Sequence, residues 1–555
     1  MKIKKLIQLL GILIVIISCT QPSSNDSESE FSIITETESL GSTPQDVYFI
    51  FTNSSSSTTK VAPEVNNNTR NLDSNLAQDK EEITYTSNRF SHSYGIIEEI
   101  REYESLPINF QYDNSRTVSS PVFSYTEFPD NPNVDSKDFY ISNTGSTTVR
   151  STNRYYETMN NGTKDITLSI WVADESWVTG GSKNDLITSE MITALASSFL
   201  IAGPGNDIYD WVTGIYGEPW GDQPYPYLLP LAAADNITIL LYDIDNDDAD
   251  AITNGGTVGY FWSKDNFKYN AISDPGSNER IMFYIDSSMF AHADDLGPWE
   301  VADSWPSTVI STLAHEFQHM IHFYQKQILN GISSSTDTWI NEMCSLVTED
   351  FLSNKLNVTG PRGLINAGDA GNYPIDEGRL PLFNYWNENS FMIWDYNDSD
   401  LVLRDYSSAY AFGAFLARNY GGAALFQQIV QSSFTDENAL VNAVNTINST
   451  NLDFKDLLVA WGEAAIHTSD TTYTPGYNTG AYFTSDLNGI TYNLGSIDLN
   501  NYDPQIFFYD SNWVMQEMGP GTNILYKAGS NLTGEQSWNL IVPRGVTVTT
   551  VLMDS

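Results

Sequence analysis

Apolar residues recur along this chain on two rhythms, and each predicts its own kind of element. From Trp305 onward, Val309, Ile310, Leu313, Phe317, Met320, Ile321 and Tyr324 fall three or four apart, the spacing of one helix face. Trp305-Pro306-Ser307 supplies a start, because proline's missing N–H costs little in a first turn. The pattern predicts a largely buried helix over 304–330. The same rhythm predicts helices over 188–201, 338–354, 406–419, 423–433 and 453–468. Runs of β-branched and aromatic residues at 46–51, 108–112, 138–141, 166–172, 237–242 and 280–286 predict strands. After about 480, segments such as 505–509 and 538–542 predict a β-rich ending. Residues 52–78 are polar, rich in Ser and Asn, and read as a loop. No internal repeat is visible. The class is α+β.

The N-terminus changes the picture. Lys2, Lys4 and Lys5 precede an apolar run from Leu6 to Ile17, shorter than the ~20 residues a spanning helix needs. Residues 1–18 read as an export signal. Ser18-Cys19 resembles a bacterial lipoprotein cleavage box, which makes Cys19 the lipidated residue and anchors the exported chain to the cell envelope. Residues 20–40 are Ser-, Glu- and Thr-rich and read as a flexible tether. With Cys19 lipidated, Cys344 has no disulfide partner, since the sequence holds two cysteines. The net charge of -44 argues against nucleic acid as a partner, because phosphate contacts need Lys and Arg.

The chemistry concentrates at His315-Glu316-Phe317-Gln318-His319, where H-E-x-x-H falls inside the predicted buried helix. Residues four apart on a helix share a face about 5–6 Å apart, so both imidazoles can grip one ion. Glu316 is then placed to act on a metal-bound water. Two buried histidines and a glutamate need partners, and a metal provides one. A catalytic zinc commonly takes three protein ligands. The H-x-x-G-x-x-H continuation fails, because His322 and Gln325 occupy its Gly and His positions. The other source is a carboxylate on the helix from Thr338 to Phe351, which offers Glu342 and Glu349. His322 sits too far along the axis to share the ion and is assigned to packing.

Asn341-Glu342-Met343-Cys344-Ser345 resembles the Asn-Glu-x-x-Ser of gluzincin metallopeptidases, and that resemblance favours Glu342 as third ligand. Trp305-Pro306, the block from Leu313 to Met320, Trp339 to Glu342 and Tyr406 to Gly413 are similar to the hyicolysin family of secreted bacterial zinc metallopeptidases. Ile170 to Asp174 and Asn206 to Trp211 fit the same pattern, so the resemblance spans roughly 165–435. It implies a gluzincin-like domain over 161–480, with a mixed sheet, an active-site helix and a helical subdomain. β-rich regions at 41–160 and 481–555 flank it. It implies bound Zn2+, endopeptidase activity on protein or peptide substrates, and Glu316 as general base. Tyr410 matches the Tyr-x-x-Gly whose hydroxyl stabilises the oxyanion, and Tyr406 lies one turn earlier. One position departs: Leu346 stands where thermolysin-type gluzincins carry the Asp that orients the first His. Glu349, Asp350 or a backbone carbonyl must accept that N–H.

Three expectations complete the reading. Asp243, Asp245 and Asp247 follow a strand and resemble a Ca2+ loop, without its usual Gly and terminal Glu. Cys344 is expected to be a small buried hydrophobe, because a fourth protein ligand would close the position that catalysis needs. The strand at 280–286 is expected at a sheet edge, where an extended peptide could pair with it. The rival to an enzyme is a non-catalytic surface lipoprotein that binds host or matrix proteins. Such a protein would have no use for Glu316. A zinc hydrolase of non-peptide substrates is a third, weaker reading.

Overall fold

The computed structural model describes residues 29–67, 90–91, 130–142, 147–246, 256–269, 271, 276–294, 297–363, 378–394 and 399–554. The signal segment, Cys19, Asp247 and the strand expected at 108–112 lie outside them. Among the described residues, no helix is long and apolar enough to cross a membrane.

The strands run β1 (Phe31–Asn53), β2 (Glu64–Asn67), β3 (Phe90–Ser91), β4 (Ser136–Tyr140), β5 (Thr148–Asn160), β6 (Asp165–Ala173), β7 (Asn236–Tyr242), β8 (Gly256–Thr257), β9 (Gly259–Phe261) and β10 (Ile281–Asp286). They end with β11 (Phe483–Leu487), β12 (Ile490–Leu494), β13 (Thr522–Pro543) and β14 (Val546–Asp554). A six-stranded mixed sheet has the order β4-β5-β6-β7-β10-β9. Its centre is parallel, with β7 paired to both β6 and β10. Ile237, Ile239, Leu240 and Leu241 are buried, as a strand covered on both faces requires. Between β6 and β7 lie helices α1 (Ser189–Phe199) and α2 (Ile208–Tyr216). Asp207 caps α2, accepting the Asp210 N–H at 2.9 Å.

Strand β10 is interior, not the edge expected of it. The chain turns back through β9, whose antiparallel pairing covers β10 and leaves β9 outermost. A Cβ on Gly259 of β9 would lie 3.1 Å from Thr312 Cγ2, so this edge runs against α4 (Ser304–His322), which follows the short α3 (Ser287–Ala291). The predicted 304–330 helix changes character at Phe323, where seven residues wind as a π-helix. Then follow α5 (Thr338–Leu356), α6 (Arg379–Tyr385), α7 (Ser399–Asn419), α8 (Ala423–Gln431), α9 (Glu437–Asn448) and α10 (Phe454–Ile466).

The ends of the chain meet. Strands β14-β1-β13-β2 form one antiparallel sheet, so the β-rich regions expected separately at 41–160 and 481–555 share it. Residues 136–160 belong instead to the central sheet through β4 and β5. Residues 31–40, expected to belong to a tether, are strand instead, paired with 534–543. Their polar composition hides a strand whose cross-strand contacts are polar, as in Thr35 Oγ1 to Asn539 Oδ1 at 2.9 Å. Segment 505–509 makes a single bridge, Tyr509 to Tyr526, rather than a strand. Strand β1 alternates cores: Tyr48 and Ile50 enter the main one, whereas Val47, Phe49 and Phe51 join Trp538 and Met518 in a second. On the main side, α10 comes close at Gly462, where a Cβ would sit 2.9 Å from Ile50 Cγ2.

Candidate active site

Helices α4 and α5 pack together and bring three side chains from two parts of the sequence to one point. The ligand atoms of His315, His319 and Glu342 all lie within 4.8 Å of one another, and all three residues are buried. It is the one such cluster among the described residues. The Nε2 atoms of His315 and His319 lie 3.2 and 3.5 Å from the same oxygen, Glu342 Oε2.

The opposite nitrogens are held from behind. His315 Nδ1 is 2.9 Å from Glu349 Oε1, and Ser311 Oγ donates to the other Glu349 oxygen at 2.7 Å. His319 Nδ1 is 3.0 Å from Asn341 Oδ1. Each ring therefore has an acceptor behind Nδ1, and donating to it would leave the Nε2 lone pair to face a metal. Ser345 Oγ donates to Gln318 Oε1 at 2.5 Å and lies 3.2 Å from His319 Nδ1.

This donor set fits zinc. Bonds of about 2.0–2.1 Å in a tetrahedral site place ligand atoms about 3.3–3.4 Å apart, and the two separations from histidine to Glu342, 3.2 and 3.5 Å, lie on either side of that. Burial opposes charge on Glu342, but His319 and His315 outweigh it and hold the carboxyl well below its usual range. Burial likewise opposes charge on His315, yet hydrogen bonds to Glu342 and Glu349 raise its pKa.

Glu316 differs. It is fully buried, and neither carboxylate oxygen has a hydrogen bond of ordinary geometry among the described residues. Burial pushes its carboxyl well above the usual range, and neither His315 nor the Phe261 N–H offsets this. A buried carboxylate left without partners is costly unless a ligand uses it.

The other expected residues fall elsewhere. Tyr410 is fully buried, and its charged neighbours are Asp350, Arg418 and Arg362 rather than the three ligands. Tyr406 stands edge-on to Trp394 at 4.9 Å, with the Arg379 guanidinium 4.9 Å over its ring. His322 Nε2 lies 3.0 Å from Thr336 Oγ1, outside the cluster, in keeping with packing. Cys344 is buried and not among the clustered ligands. Asp243 forms a 2.5 Å ion pair with Lys183, and Asp245 accepts the Thr257 N–H at 2.8 Å. Lys183 thus pairs with Asp243 and Asn246, and Asp247 lies outside the described residues.

Sequence reading left two contributors unassigned. Asn341 adjoins Glu342, and Ser311 lies four residues before His315 on the same face; both spacings carried a signal.

A buried H-E-x-x-H helix, joined by a glutamate from the following helix and backed by a carboxylate on the first histidine, is a metal centre of the metallopeptidase kind. The chain matches Peptidase M30 over residues 147–552 and belongs to that family. It is also similar to the "Neutral metalloprotease ShpI" of Staphylococcus hyicus, 26% identical over 249 residues, which are 44% of this chain and 48% of that protein. The chain thus spans about half the length of that relative. Among solved structures it resembles the M1 zinc metallopeptidase of Deinococcus radiodurans, 12% identical with a TM-score of 0.29, covering 56% of this chain and 51% of that one. It also resembles an aminopeptidase N family protein of Idiomarina loihiensis, 12% identical with a TM-score of 0.28, covering 71% and 68%. At such TM-scores these likenesses carry no weight for the fold.

Proposed function

We propose that this protein is a zinc-dependent endopeptidase, anchored to the cell envelope through lipid on Cys19. The observation that carries the peptidase reading is Glu316: a buried carboxylate whose oxygens make no hydrogen bond of ordinary geometry among the described residues, one residue from a ligand histidine. His315, His319 and Glu342 would hold the ion. Zinc at such a site supplies Lewis-acid polarisation of a carbonyl and makes a water more acidic. Glu316 takes the proton of the attacking water and returns it to the leaving amine. Glu349 and Asn341 keep both imidazoles in the tautomer and orientation this needs.

Family membership and the protease named among its relatives support peptide substrates. The edge strand beside α4 supports internal cleavage. A peptidase that reads a free α-amino group needs a carboxylate to receive it, and the three residues of β9, Gly259, Tyr260 and Phe261, carry none. The lipid anchor rests on Ser18-Cys19 behind a short apolar run, and Cys19→Ala should abolish palmitate labelling.

The test is zinc quantification coupled to digestion of a diverse library of N-acetylated peptides. Internal cuts by zinc-loaded protein are expected. Release of first residues from free-amine peptides alone would replace endopeptidase by aminopeptidase. No cleavage at full zinc occupancy would favour the binding lipoprotein.

A further inference from the structure

A hydroxyl lies within reach of a ligand histidine, and its proton goes elsewhere. Ser345 sits on α5 four residues after Asn341 and three after Glu342. Its Oγ is 3.2 Å from His319 Nδ1 and 3.4 Å from His319 Nε2. Near-equal distances to both nitrogens put the hydroxyl beside the ring, in line with neither. A serine carries one proton and can give it to a bare ring nitrogen. Nδ1 has Asn341 Oδ1 3.0 Å away. With a proton donated there, Nδ1 accepts nothing, and Nε2 holds the lone pair. That nitrogen is the one that would bind the ion. A hydrogen bond from Ser345 would occupy the lone pair zinc needs.

Gln318 draws that proton away. Ser345 Oγ donates to Gln318 Oε1 at 2.5 Å. The separation fits O–H···O and is short for N–H···O, so the amide turns its oxygen to the serine. The arrangement has a cost. Gln318 is fully buried, and its Nε2 makes no hydrogen bond of ordinary geometry among the described residues. An amide turned the other way would donate to Ser345 and release the serine proton toward His319. As it stands, the serine offers the imidazole only lone pairs.

We propose that Gln318, inside the H-E-x-x-H motif, is a positioning residue that takes the Ser345 proton, so that the hydroxyl cannot cap the metal-binding nitrogen of His319. Gln318 touches neither ion nor substrate in this account. It acts through Ser345, and neither side chain changes charge. The inference rests on the zinc reading above and deepens it, giving a role to a motif position that the ligands and the base leave open.

The test is zinc affinity by chelator competition on the full chain, for Gln318→Met, Ser345→Ala and the double variant, each checked by far-UV circular dichroism. Methionine keeps the length of glutamine and offers at most a weak acceptor. Gln318→Met should weaken zinc by ~2–10-fold, the weight of one competing hydrogen bond. Ser345→Ala removes the competitor and should bind as wild type does. The double variant should regain wild-type affinity, a rescue that a merely structural role for Gln318 would not give. Wild-type affinity in Gln318→Met, or a loss that persists in the double variant, would overturn the proposal. If Gln318→Met does not fold, Ser345→Ala decides: affinity no lower than wild type supports the proposal, and weaker zinc, as a lost brace gives, refutes it. A wild-type chain that binds no zinc would sink the metal reading itself, which is a separate result.

Discussion

Glu349 Oε1 stands 2.9 Å from His315 Nδ1, while Glu342 Oε2 stands 3.2 Å from the Nε2 of the same ring. One helix thus supplies both a ligand and the brace behind another ligand. The two glutamates are seven residues apart on α5, close to two full turns, so they share a face. Leu346 lies between them. The brace sits three residues further along the helix.

This arrangement separates the two glutamates by experiment. Glu342→Ala should abolish stoichiometric zinc binding. Glu349→Gln should retain one zinc with affinity lower by ~10–100-fold. Chelator competition on both variants decides. Full zinc in Glu342→Ala, with none in Glu349→Gln, would mean the roles are reversed.

Further along α5, Asp350 and Arg418 form a 2.9 Å pair with both side chains fully buried. Removing one partner of such a pair costs about 3–5 kcal/mol. Arg418→Met should fall toward the lower figure, because Arg362 also reaches Asp350. Burial tends to raise the Asp350 carboxyl, but Arg418 and Arg362 outweigh it and hold the pKa below its ordinary value. Its stabilisation is therefore present above the unfolded value near 3.8 and lost as pH falls through the folded one. Urea unfolding between neutral pH and pH 3 should show a flatter acid limb in Asp350→Asn. An unchanged acid limb would show that other groups govern it.

Cys344 should behave as core. It is fully buried, and burial pushes its thiol up to about 12. Iodoacetamide should label it in denaturant and leave it untouched in the native protein. Cys344→Ala should keep full zinc. Loss of the metal in that variant would restore the fourth-ligand reading.

Tyr410→Phe tests the phenol expected to act on the oxyanion. Its hydroxyl is buried without a hydrogen bond of ordinary geometry among the described residues. Removing it should cost about 1 kcal/mol, since only a loose contact to the Asp350 carboxylate is lost. Peptide-cleavage kinetics should show a smaller loss than Glu316→Gln causes. An equal loss would move Tyr410 into the reaction itself.

The metal site was legible because its information is local. His315, Glu316 and His319 fall on one helical face, and Asn341-Glu342 opens the next helix. The helical rhythm located α4, α5 and α10 within a few residues. What escaped depends on distant pairing. Thr35 and Glu36 read as tether because a strand held by β13 needs no apolar face. Strand β10 looks like an edge until β9 is laid beside it. The contact between Gly363 and Gly378 is invisible in the sequence because no periodicity marks it.

The central claim is that Glu316 moves the proton in a zinc-dependent cleavage. The most direct measurement compares wild type and Glu316→Gln, both with zinc quantified, on one peptide that wild type cuts. Gln keeps the shape but cannot take the proton at neutral pH. The account predicts equal zinc, equal fold and a loss in kcat/KM of at least ~10²–10⁴-fold. Undiminished cleavage by the zinc-loaded Gln variant would contradict it.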